Sequence, residues 1–121
     1  MDAKLLRAVL THTQDHPDLL DVTTYGERRP SGYVAADLAG RALLESGWTL
    51  TGDSTFLSAS GNREVSGWQE IEDEACAALD LTRDQLWNGG DLDCLFTLPA
   101  DEAVRRLREL TEEAEAAVAN A

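Results

Sequence analysis

His12 and His16 stand four residues apart, a spacing that sets two imidazoles on one helix face, where Asp15 or Asp18 could complete a divalent-metal site. Two features oppose that chemistry. Position 13 is Thr where the HExxH metalloproteases carry Glu, and Pro17 breaks the turn that would hold His16. A polar helix end explains the pair more simply. Asn88, Asp91 and Asp93 in NGGDLD offer oxygens to Ca²⁺, but a calcium loop counted from Asn88 would need Gly and Glu where Asp93 and Pro99 stand. No GxGxxG, GxxxxGK[ST] or GxSxG occurs, so catalysis has no visible phosphate cradle or nucleophile, and neither a cofactor nor a metal is expected.

Carboxylates form the other concentrated chemistry. Glu70, Glu72, Asp73 and Glu74 crowd the first turns of an expected helix, where the macrodipole favours them, and a solvated face accounts for them. The sharper reading is an acidic surface for a basic protein partner, made by Glu70, Asp73, Glu74, Asp84, Asp91 and Asp93 with Trp87 as an aromatic anchor. Trp68 and Trp87 would otherwise be core residues; exposure of either favours an interface. A third cluster, Arg28 and Arg29 beside Tyr25 and ahead of Tyr33, suits an anion or a carboxylate, or pairs with the chain's own acids.

The whole-chain balance supports the acidic theme. Net charge is −13 over 121 residues. It is uneven: residues 64 to 93 hold nine acids against the single Arg83, a net of −8. Such a chain repels phosphate backbones, so direct nucleic-acid binding is not expected. Cys76 and Cys94 stand apart with no CxxC or His nearby, which reads as two free thiols in a reducing compartment. The start MDAKLLRAVL lacks the apolar run of a signal peptide, and no stretch suits a membrane span; a cytoplasmic protein without membrane contact is the expectation.

The elements that must position these groups follow from periodicity. Asp2 caps a first helix, with Leu6, Val9, Leu10 and Thr13 on one face and an end near Asp15. Residues 18 to 30 read as a surface loop. SGYVAADLAGRALLESGW is expected to be the central helix, 31–46, capped by Ser31 and ended by Gly47. On it Asp37, Arg41 and Glu45 make the polar stripe, while Ala35, Ala36, Ala39 and Gly40 admit a close neighbour beside Leu38 and Leu43. A small hairpin spans 48–58, with Trp48 and Leu50 inward. Ser66 and Gln69 form a capping-box pattern for a third helix with Trp68, Ile71, Ala75, Ala78 and Leu79 inward; Thr82 and Gln85 open a short helix that Gly89 can end. Pro99 starts a last helix with Val104, Leu107 and Leu110 inward, and the tail frays from about residue 113.

DLAGRALLESGW, followed by ACAALDLTRDQLW and the pair Leu95–Phe96, resembles a group of small uncharacterised proteins from actinobacteria and their phages. Those proteins show a CGTxxCxAG helix start and an AxxxLGLTxxQAxxLF segment, and the likeness covers roughly residues 16 to 96. This chain departs from the pattern at both cysteines. Asp37 stands where the second would fall, with Ser31 or Gly32 near the first, so no thiol chemistry carries over. The resemblance implies no activity.

These readings converge on a single mainly helical α+β domain over residues 1–121, with four or five helices around helix 31–46 and one hairpin. The expected function is a non-enzymatic, regulatory or phage-derived protein-interaction module. The alternative is a small-ligand or metal-binding domain using His12, His16 and the Arg28/Arg29 loop.

Overall fold

The computed structural model describes residues 1–52, 54–87 and 94–120. Asp2 accepts the Leu5 N–H at 2.9 Å and so starts α1 (Ala3–Asp15), whose buried residues are Leu6, Val9, Leu10 and Thr13. Thr13 is tolerated inside because its hydroxyl donates to the Val9 carbonyl at 2.8 Å. Pro17 opens one 3-10 turn, and the chain then runs through two short antiparallel strands, β1 (Glu27–Arg28) and β2 (Val34–Ala35).

The central helix is shorter than its composition suggests. α2 spans Leu38–Glu45, its N-cap is Asp37 rather than Ser31, and the Asp37 side chain accepts the Gly40 N–H at 2.8 Å. The six preceding residues are not helical. Gly32 turns the chain at φ +92°, β2 pairs with β1, and Ala36 bridges Leu20 in parallel. Of the polar stripe of Asp37, Arg41 and Glu45, the first two are buried and only Glu45 is exposed. Arg41 is accommodated by donating to the Val34 carbonyl at 2.6 Å. At the other end the Trp48 and Gly47 N–H groups bond the Leu43 and Leu44 carbonyls, with Gly47 at φ +96°, a left-handed termination that satisfies the last carbonyls.

The small residues of α2 do admit a close neighbour. A Cβ on Gly40 would lie 1.6 Å from the Tyr25 carbonyl oxygen, so the loop before β1 rests directly on the helix backbone. Beyond α2 the expected hairpin forms from β3 (Thr49–Leu50) and β4 (Thr55–Leu57), pairing Leu50 with Phe56. A third strand, β5 (Glu64–Ser66), extends it, so β4 is central and Phe56 fully buried. Leu50 is buried and Trp48 packs half-buried against the same core.

α3 (Trp68–Leu79) buries Ile71, Ala75 and Leu79 and packs on α2. Thr82 and Gln85 exchange hydrogen bonds at 2.8 and 3.2 Å to open α4 (Arg83–Trp87). The Gly89 stop lies outside the described residues. α5 (Ala100–Ala119) packs on α1 and buries Ala103, Leu107, Leu110, Thr111 and Ala114, with Val104 half-buried. Its tail, expected to fray from about residue 113, is helical in the structure. The helix continues to Ala119, because Ala114 is buried and Glu115 pairs with Arg7. One apolar cluster joins α1, α2, α3, α5, the three-stranded sheet and Cys94–Phe96, which makes the protein a mainly helical α+β fold with five α-helices among the described residues. No described helix is long and apolar enough to cross a membrane.

Candidate protein-interaction surface

Gly67, at φ +82°, turns the chain out of β5 and into α3. The returning hydrogen bond expected from Gln69 comes from Glu70 instead: its Oε2 accepts the Ser66 N–H at 3.1 Å. Glu74 accepts from both terminal guanidinium nitrogens of Arg63 at 3.1 and 2.9 Å, a bidentate pair between the residue just before β5 and the middle of α3. Glu70 and Glu74 are therefore occupied within the fold. Asp73 and Asp84 are exposed and make none of the ion pairs found among the described residues. Asp91 and Asp93, expected on the same surface, lie outside the described residues.

Trp68 is 63 % exposed and Trp87 37 % exposed, so neither is the core anchor that aromatic size suggests. At 100° per residue Trp68 falls on the same side of α3 as Ile71. It is, however, the first helical residue, and side chains there tilt back toward the N-terminus, which carries the indole off the end of the packed layer. Both indoles border one groove of about 410 Å³ between α3 and α4. Glu72 and Asp73 supply its carboxylates, and Cys76, Leu81, Leu86 and Cys94 its apolar lining. None of the residues lining it is basic.

The electrostatics of the groove follow from burial. Glu72 is raised above the usual carboxylate range by partial burial, opposed by the hydrogen bond that its Oε2 accepts from the Tyr25 hydroxyl at 3.0 Å. The same burial and the nearby Glu72 charge push the Tyr25 phenol up. Burial likewise raises the Cys76 thiol, whose sulfur donates to the Leu81 carbonyl at 3.3 Å, so it acts as an apolar lining group rather than a nucleophile.

The residues of the alternative reading are only partly brought together. His12 and His16 have ring centroids 4.9 Å apart, and His16 faces Tyr33 at 6.4 Å. His12 is held below its ordinary value by burial, then by Arg41 and His16, an environment that disfavours added positive charge. Among the described residues no group of three or more His, Cys, Asp or Glu side chains is arranged to hold a metal. Arg29 pairs with Asp21 at 2.7 Å and with Glu27 at 3.5 Å, and Arg28 reaches the Gly32 and Leu50 carbonyls at 3.5 Å. The Tyr25 hydroxyl donates to Glu72 at 3.0 Å.

Trp68 and Trp87 are the groove residues that aromatic size set in the core, and for Trp68 its position beside Gly67 at a helix start was the available signal. Comparison with family models, curated proteins and solved structures returns no match.

Proposed function

We propose that this chain is a non-enzymatic protein-interaction module, regulatory or phage-derived, that works in the cytoplasm and meets a basic protein partner through the acidic surface of α3 and α4. The observation that carries this reading is the groove in which two exposed tryptophans stand beside Glu72 and Asp73 with no basic lining residue. Exposed indoles that border an apolar groove are interface chemistry, and a net charge of −13 steers a cationic protein toward it while repelling nucleic acid. The likeness of the central stretch to small actinobacterial and phage proteins makes an actinobacterial lysate the natural source of partner. The small-ligand alternative is served less well, because Arg29 is taken up by Asp21 and Glu27 and Tyr25 by Glu72.

The test uses charges that the fold does not need. Asp73→Asn with Asp84→Asn removes two exposed carboxylates and leaves the Glu70 cap and the Glu74–Arg63 pair in place. A partner captured from the lysate at low salt is then followed by surface plasmon resonance. Association with the double variant is expected to be several-fold slower at low salt and less sensitive to added salt, since such charges act mainly on encounter. Equal association rates for wild type and variant would overturn the acidic-surface reading.

A further inference from the structure

Arg63 shows what this surface does with an arginine. Its guanidinium carbon lies 5.7 Å from the centroid of the Trp48 ring, while its two terminal nitrogens bond both oxygens of Glu74 at 3.1 and 2.9 Å. The cation thus lies over an indole at cation–π distance with a carboxylate at the edge of its guanidinium, a pair of contacts that guanidinium satisfies better than ammonium. Glu74 lies on one flank of the buried Ile71–Ala75–Leu79 stripe of α3, and the opposite flank borders the groove.

That groove repeats the same two chemistries. Trp68 supplies an indole more open than that of Trp48, and Glu72, one helical turn on, stands beside Asp73 as a source of negative charge. Only one Glu72 oxygen is engaged by Tyr25. Among the described residues lining the groove none is a cation, and beyond the carboxylates lie Cys76, Leu81 and Leu86, which suit an aliphatic neighbour rather than a second charge. About 410 Å³ is room for an arginine side chain and one adjoining apolar side chain, within the usual range of small sites.

We propose that the α3–α4 groove docks an arginine-bearing segment of a partner protein, with the guanidinium stacked on Trp68 and met by Glu72 and Asp73, and a neighbouring aliphatic residue laid over Cys76, Leu81 and Leu86. This rests on the protein-interaction reading above and narrows it to one place and one side chain. Lysine fits less well, because an ammonium cannot stack on the indole and present a flat edge to the carboxylates together.

The probe is a capped five-residue peptide alternating leucine and arginine, with versions carrying lysine or the neutral isostere citrulline in place of arginine. Uniformly ¹⁵N-labelled protein reports through the indole N–H resonances of its 3 tryptophans. Trp48, already covered by Arg63, is the internal control. The arginine peptide is expected to move the Trp68 and Trp87 resonances saturably and leave Trp48 in place, with the citrulline peptide roughly tenfold weaker and the lysine peptide between them. Trp68→Ala and Asp73→Asn should each weaken the arginine peptide roughly three- to tenfold, with circular dichroism unchanged because both side chains are exposed. Salt-sensitive binding that leaves Trp68 and Trp87 unmoved would overturn the groove while the acidic-surface reading survives. Equal affinity for the arginine and citrulline peptides, or no binding up to millimolar peptide, would overturn it as well. The broader reading fails on a different measurement, the partner's indifference to the charges of Asp73 and Asp84.

Discussion

Asp37 caps α2 from a position where a charge is poorly tolerated. Its carboxyl is pushed up to about 8, by burial first and then by the charges of Glu72 and Asp21, against hydrogen bonds from the Gly40 and Ala39 N–H groups. The unfolded value is about 3.9. Across the window between those values the folded chain keeps a proton that the unfolded chain has lost, so the stability contributed is fully present below about pH 4 and is lost as pH rises through 8. Asp37→Asn retains an oxygen to accept the Gly40 N–H and removes the titration. Urea denaturation at pH 5 and pH 8.5 should show the variant gaining on wild type at the higher pH. A difference between the two proteins that does not change with pH would mean that Asp37 titrates normally. Sequence reasoning set Asp37 inside helix 31–46, on its polar stripe, because helical periodicity was extended through residues that precede the helix. Both Ser31 and Asp37 are good caps by type, and only the strand pairing at Val34 and the bridge at Ala36 decide between them.

At the level of elements, the joint between α2 and the loop before β1 depends on one missing side chain. In a free helix Gly40→Ala would gain about 1 kcal/mol in helix propensity. Here the added Cβ meets backbone at 1.6 Å, which no rotamer relieves, so overpacking should win and the net loss should reach about 3 kcal/mol or more, the upper end of the usual range. Urea titration measures it, and an equal or higher midpoint for the variant would refute the contact. The small-residue run of α2 announced that something approaches closely. It could not say what, because the partner is the carbonyl of Tyr25, in a segment with no periodic pattern. α1 was legible almost residue for residue, since cap, inward stripe and stop are all local. The third strand was not, because β5 has only three residues and is held by its pairing with β4 rather than by its own pattern. The acidic surface was legible as composition, whereas the division between engaged Glu70 and Glu74 and exposed Asp73 depends on where Arg63 and Ser66 fold.

For the molecule as a whole, the net charge of −13 is a stability term as well as a recognition term. Five of the six ion pairs among the described residues keep at least one exposed partner, and each is worth little. Mutual repulsion of the uncompensated acids then dominates the salt response. Thermal melts at about 10 mM and about 200 mM NaCl should show a higher Tm at the higher salt, as the screening length falls from about 30 to below 10 Å. A Tm that falls with salt would mean that the ion pairs outweigh the repulsion.

The pairing of α1 with α5 joins segments separated by nearly the whole chain, with Arg7 and Glu115 meeting 108 residues apart. On the ribosome α1 emerges about 100 residues before α5. During that interval the side of α1 that α5 will cover remains without its partner, and it stays open until α5 itself is clear of the ribosome. Translation that stalls between α4 and α5 would leave a chain with the groove residues of α3 and α4 already made but with this seam still open.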